Sequence, residues 1–204
     1  MLIKTFKKPS RRSSEILLEI TQDESLDESL SYQYILQALG ERAFGIGILF
    51  FSLPSALPLS IVPGFSVIFS VPIAIFALEM VFARKSLWLP KIIAQKTISR
   101  AKVSKVILVI VPYLVRLEKL SKPRWAWMTY SAMERINGIV IFCLAILLML
   151  PIPFSNFIFG VLLIIFSLGI TEKDGILIFM GHLFFILYVT FVCLFLIRYL
   201  HYVI

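Results

Sequence analysis

The chain has 204 residues, 59% of them hydrophobic and 16% charged, with a net charge of +8 and a mean hydropathy of +0.94. A water-soluble chain of this length carries nearer a quarter charged residues, so a soluble domain is excluded and an integral membrane protein with room for about five or six segments of ~20 residues is implied. Nine Gly, two Cys and abundant Leu, Ile and Phe also exclude collagen, a disulfide scaffold and a disordered tail.

Residues 1–40 form the polar segment. Lys4, Lys7, Lys8, Arg11 and Arg12 precede Glu15, Glu19, Asp23, Glu24, Asp27 and Glu28. No apolar core of signal-peptide length follows the basic cluster, so secretion is not expected. Ser25 and Glu28 have capping-box spacing ahead of Leu30, Tyr34, Ile35 and Ala38, which predicts an amphipathic helix leading up to Gly40 at the membrane surface.

Residues 41–204 read as one polytopic membrane domain. Its first apolar stretch is interrupted by Pro54, Pro58, Pro63 and Gly64. The arm over 43–57 measures ~22 Å as a helix, short of a ~30 Å hydrocarbon core. The arm over 65–83 measures ~28 Å. The pair is expected to be a re-entrant or incompletely spanning hairpin, whose non-helical tip must be buried in protein or face water.

A basic linker over 84–124 follows, holding eleven of the twenty Lys and Arg. The positive-inside rule places it, or at least its first part, in the cytoplasm beside the basic N-terminus. Within it, 101–120 has an uncharged centre of ten residues that contains Pro112. Two arrangements stay open here. Either this helix lies at the interface and both hairpins enter from the same side, or it crosses and the hairpins form an inverted repeat of the kind transporters use.

The hairpin construction recurs. A shift of 93 superposes Glu41, Arg42, Gly45, Ile46, Ile48, Leu57, Pro58 and Glu79 on Glu134, Arg135, Gly138, Ile139, Ile141, Leu150, Pro151 and Glu172 without a gap. An internal repeat is expected, 41–79 matching 134–172. The 23-residue run over 175–197 is read as the one clean spanning helix. The fold class expected is therefore all-α, with two repeated Pro-broken, re-entrant-like hairpins plus amphipathic and spanning helices.

Charge at membrane depth costs ~3 kcal/mol per group at the bilayer centre, which singles out Glu41, Arg42, Glu79, Glu134, Arg135 and Glu172. A hairpin returns to the side it left, so the first three are expected together at one base and the last three at the other. They either form Glu to Arg pairs that fix the hairpin bases, or Arg42 and Arg135 grip an anionic group such as a lipid-linked phosphate while a carboxylate handles a proton. The forked guanidinium suits phosphate. His182 is either a neutral residue hydrogen-bonded to a neighbouring helix or a polar, proton-handling site.

Ser66, Ser70 and Ala74 permit close packing within the hairpin or across a homodimer. Trp88, Trp125 and Trp127 are expected as interfacial anchors. Cys143 and Cys193 read as inert packing residues, with no disulfide, metal or cofactor. The basic residues border apolar runs, so nucleic acid is not an expected partner. Asp23, Asp27 and Asp174 form no Asp-x-Asp pair, and P-loop, Gly-x-Ser-x-Gly and His-Glu-x-x-His motifs are missing. An enzyme is not expected.

Several polar or proline-containing motifs inside apolar sequence resemble the ExoD family. They are Leu39-Gly40-Glu41-Arg42-Ala43-Phe44-Gly45, Leu53-Pro54 to Pro63-Gly64, Trp88-Leu89-Pro90, Glu134-Arg135 with Gly138, Leu150-Pro151-Ile152-Pro153-Phe154-Ser155-Asn156 and Lys173-Asp174-Gly175. Ala43 stands where that family commonly has Gly, and Lys173 where it often has Arg. The resemblance implies a bacterial membrane protein of exopolysaccharide synthesis or export, in contact with the exopolysaccharide machinery, with Glu41, Arg42, Glu134 and Arg135 as its functional positions. It leaves two roles open, handling of an anionic lipid-linked intermediate and a non-catalytic assembly partnership. A looser likeness of layout is to the DedA family, by analogy only.

Overall fold

Lipid cannot satisfy backbone polar groups, so an apolar chain must satisfy them internally, and this one does so as helix. The computed structural model describes residues 12–22, 29–57, 65–88, 96–150 and 155–203. The helices in order are α1 (Ser13–Gln22), α2 (Tyr32–Leu39), α3 (Arg42–Ser52), α4 (Phe65–Val81), α5 (Arg100–Leu120), α6 (Ser131–Met149), α7 (Ser155–Glu172) and α8 (Gly175–Val203). Two short strands, β1 (Ser29–Ser31) and β2 (Thr97–Ser99), pair antiparallel with Leu30 opposite Ile98. Both hairpin tips (58–64 and 151–154), the expected capping pair Ser25 and Glu28, and Leu89-Pro90 lie outside the described residues.

The amphipathic helix expected ahead of Gly40 is α2, with a different start: the Ser31 side chain accepts from the Tyr34 amide at 3.2 Å. Gly40 sits at φ +57, a conformation glycine adopts at little cost. Just beyond it the chain bends by 110° between α2 and the helical stretch that follows. Pro54 lacks the N–H that would extend α3, which gives way to a 3-10 turn over Pro54–Ala56.

Among the described residues, three helices are long and apolar enough to cross a membrane: Ser131–Met149, Ser155–Glu172 and Gly175–Phe195. The bent pair Tyr32–Leu39 with Arg42–Ala56 meets the same measure jointly, while Ser66–Val81 is apolar but shorter. This corrects the expectation of a single clean span. The proline-rich break at 151–154 falls after α6 is complete, leaving arms of 19 and 18 residues, ~27–29 Å at the helical rise.

The main helix contacts run between the hairpins rather than within them: α4 lies along α6, and α3 along α7. Two glycines, Gly45 and Gly138, set these approaches. A Cβ on Gly138 would come within 2.8 Å of the Ala77 carbonyl and 2.9 Å of the Val81 amide, at the end of α4. A Cβ on Gly45 would strike Thr171 Oγ1 and the Ser167 carbonyl, at the end of α7. At the opposite end, Asn156 Nδ2 donates to Ser66 Oγ at 2.8 Å, and Gly160 lies against the backbone of Ser55 and Ala56. The starts of α3 and α6 and the ends of α4 and α7 therefore share one end of the bundle, and the starts of α4 and α7 lie together at the other. The hairpins point the same way, and the inverted alternative is set aside.

The seams are filled by buried Phe44 and Ile48 of α3, Ile73 and Met80 of α4, Ile141, Leu144 and Leu148 of α6, and Phe159, Leu163 and Phe166 of α7. Ser66, Ser70 and Ala74 are buried within the chain, so their stripe serves packing inside the monomer. Cys143 and Cys193 are free and exposed on the helix exteriors, not packed as expected. The α8 helix presents Leu183, Phe184, Ile186, Leu187, Phe191 and Phe195 outward, as a lipid-facing helix does. Outside the bundle, α5 packs on α1.

Candidate functional site at the base of the hairpins

The base is where the chain buries charge. Ser13, the first residue of α1, is fully buried between the two hairpins. Its hydroxyl accepts from Arg42 Nη1 at 2.8 Å and donates to Glu172 Oε1 at 3.0 Å, with the Thr171 carbonyl at 3.3 Å. Arg42 and Glu172 are each 6% exposed. One helix start thus bridges the first residue of α3 to the last of α7. Ser14 is held from the other side: Glu118 of α5 accepts from its amide at 2.8 Å and from its hydroxyl at 2.7 Å, an N-terminal cap supplied from 104 residues away. A carboxylate at a helix start is favoured by the exposed N–H groups and the dipole there.

The carboxylates acting on the Arg42 guanidinium are, strongest first, Glu172, Glu118, Glu15 and Glu41. Glu41 in turn accepts from Lys173 Nζ at 2.9 Å, a half-exposed ion pair between the two hairpin bases. Glu134 feels the charges of Glu41 and Lys173.

The joint between α7 and α8 is a second lock. Lys173 takes φ +55, and fully buried Asp174 caps α8 through the Ile176 amide at 3.1 Å. The same carboxylate accepts from the Lys122 amide at 2.9 Å and from Arg124 Nη2 at 3.3 Å. Gly175 lets the Trp125 carbonyl approach more closely than a side chain would allow, and its amide donates to the Arg124 carbonyl at 2.7 Å. The end of the basic linker is thereby fastened to the start of the last span.

Of the six charged residues singled out in the sequence, Glu41, Arg42, Glu134 and Glu172 meet at the base. They do so across the hairpins, which corrects the expectation that each hairpin pairs its own charges; α3 faces α7 rather than its own second arm. Glu79 sits apart, accepting from the Trp88 amide at 2.7 Å beside Arg84, whose guanidinium lies 5.7 Å from the Trp88 ring. Arg135 is exposed and, among the described residues, makes no ion pair. The offset of 93 expected from the sequence would pair it with Arg42, which is buried and bonded to Ser13.

His182 lies on α8, away from the base charges. Its Nδ1 is 2.9 Å from the Ile178 carbonyl, one turn back on its own helix, and its ring meets Phe166 edge-on. A carbonyl only accepts, so Nδ1 carries the proton. Trp88, Trp125 and Trp127 are each about half exposed, with the last two rings stacked 6.3 Å apart. Among the described residues no group of three or more His, Cys, Asp or Glu could hold a metal ion.

Ser13, Glu118 and Asp174 were missed as site residues. Asp174-Gly175 ahead of a long apolar run is an N-cap signal, and Ile16, Leu17 and Ile20 behind Ser13 have helical spacing. Nothing local to Glu118 reveals its partner.

The family described as "Exopolysaccharide synthesis, ExoD" matches residues 13–194, from the bridging serine to the last span. The chain is 33% identical over 177 residues to the uncharacterized protein slr1875 of Synechocystis sp., covering 86% of this chain and 83% of that protein. It is 31% identical over 160 residues to Protein ExoD of Rhizobium meliloti, covering 76% of this chain and 66% of that protein. No solved structure matches. The chain is a membrane protein of the ExoD family, a family implicated in exopolysaccharide synthesis.

Proposed function

We propose that the chain is a non-catalytic membrane component of the exopolysaccharide machinery, an assembly partner whose hairpin bases hold the α1–α5 pair in place at the cytoplasmic face of the inner membrane. The observation that carries this reading is the buried link from Arg42 through Ser13 to Glu172. It commits the guanidinium to the chain's own N-terminal helix. With Glu172, Glu118, Glu15 and Glu41 all acting on Arg42, its charge is already met by the chain's own carboxylates, which weighs against the grip on a lipid-linked phosphate. Orientation follows from the eleven Lys and Arg of the linker, which belong on the cytoplasmic side.

Polysaccharide output in a strain complemented with variants tests the proposal. Removing one partner of a buried charged pair costs about 3–5 kcal/mol, whereas replacing both by apolar residues of similar volume is near neutral. Arg42→Met and Glu172→Met alone should therefore abolish output, and the double variant, which folds but has lost both side-chain partners of the Ser13 hydroxyl, should not restore it. A double variant that reaches the membrane in normal amount and gives normal polysaccharide output means the link to α1 is dispensable, and the assembly reading falls.

A further inference from the structure

We infer that α5 lies in the plane of the cytoplasmic membrane interface and binds anionic lipid headgroups through its outer face. Both its ends are tied to the level of the hairpin bases. Its start follows β2, which pairs with β1 at the head of α2, and α2 runs crosswise, within about 20° of the perpendicular to the stretch it leads into, given the 110° bend. Eight residues of α2 reach ~12 Å, and at that inclination they move the chain only ~4 Å along the hairpin axis. The far end is fastened within two residues of α5 by the Lys122 amide on Asp174. A 21-residue helix is ~31 Å long, and it cannot run along the hairpins with both ends held near one level. It lies across them.

The two long faces of α5 differ. Val103, Ile107, Leu114 and Glu118 are buried, the last against Ser14 of α1. The opposite face exposes Leu108 and Val109 at its centre, with Lys102 and Lys105 toward one end and Lys119 toward the other. Glu118, the sole acidic residue of the helix, is turned away, so the outer face carries apolar surface and positive charge together. Its partner α1 exposes Glu15 and Glu19. The pair is thus polarised, with acid on one helix and cations flanking an apolar strip on the other. That is the composition of a helix whose apolar residues enter the headgroup boundary while its lysines meet anionic lipid. Exposed Trp125 and Trp127, a few residues beyond α5, have the amphipathic rings that favour the same depth.

The test places a fluorophore on the full-length chain at Val109→Cys, with Cys143 and Cys193 replaced by Ser, reconstituted into liposomes of phosphatidylcholine with or without phosphatidylglycerol. In the anionic liposomes, lipids spin-labelled near the headgroup should quench it and aqueous iodide should not; this contrast should weaken in phosphatidylcholine alone. Each lysine near an anionic surface strengthens binding about fivefold, so the triple variant Lys102→Gln, Lys105→Gln, Lys119→Gln should shift the docked-to-free ratio roughly a hundredfold toward free. Dominant iodide quenching in both lipids would overturn the inference. So would strongest quenching from a label deep in the acyl chains, which would mark a spanning helix, or protection from both quenchers, which would mark a protein cover.

Discussion

Replacing Gly138 by Ala adds one methyl where the structure has no room for it. In an exposed helix the change would stabilise, because Ala exceeds Gly in helix propensity by about 1 kcal/mol. Here the new Cβ would stand 2.8 Å from the Ala77 carbonyl, 2.9 Å from the Val81 amide and 3.0 Å from Met80 Cβ, against an ordinary contact of about 3.5–4.0 Å. Two of the three are backbone atoms of α4, so no rotamer change relieves them, and α4 must move off α6 by roughly half an ångström or more. That loosens a seam filled by Ile73, Met80, Ile141, Leu144 and Leu148, all essentially buried. Overpacking of this kind costs about 1–3 kcal/mol. Thermal unfolding of the purified protein in detergent should show a lower midpoint for Gly138→Ala and for Gly45→Ala, whose Cβ meets Thr171 and Ser167. A midpoint equal to or above that of the native chain, for either variant, would refute the close approach of the hairpins.

Further outcomes follow from the base. Arg135→Ala should change stability by no more than about 0.5 kcal/mol and leave polysaccharide output intact, even though the repeat equates Arg135 with Arg42; a loss of output would restore it to the functional site. Asp174→Ala removes a helix cap together with the hold on Lys122 and Arg124. It should cost about 2 kcal/mol or more in thermal unfolding, and an unchanged midpoint would show that the linker is not fastened there. Glu118→Gln keeps the acceptor for Ser14 but removes the charge, so α1 should stay docked, while Glu118→Ala should release it to proteolysis.

The membrane character and the all-helical make-up were legible because each rests on local pattern: apolar run lengths and composition. Gly45 and Gly138 could be matched by the offset of 93, although their shared job of admitting the other hairpin could not. Which charge meets which could not be read, since Arg42 finds Glu172 only once α3 lies along α7, and sequence order sets Glu79 at the nearer distance. Helix α1 was hidden for a similar reason. It is ten residues long, marginal alone, and is held by Glu118 and Arg42 from far along the chain. The β1–β2 ribbon, three residues a strand, falls below what alternation can reveal.

Amide hydrogen exchange along α1, compared between the native chain, Arg42→Met and the Arg42→Met, Glu172→Met double variant, tests the central claim most directly. If the buried base charges exist to hold the N-terminal helix, protection over Ser13–Gln22 should be lost in the single variant and stay lost in the double, which removes both side-chain partners of the Ser13 hydroxyl, with α6 and α7 protected throughout. Protection of α1 that is unchanged in Arg42→Met would contradict the claim.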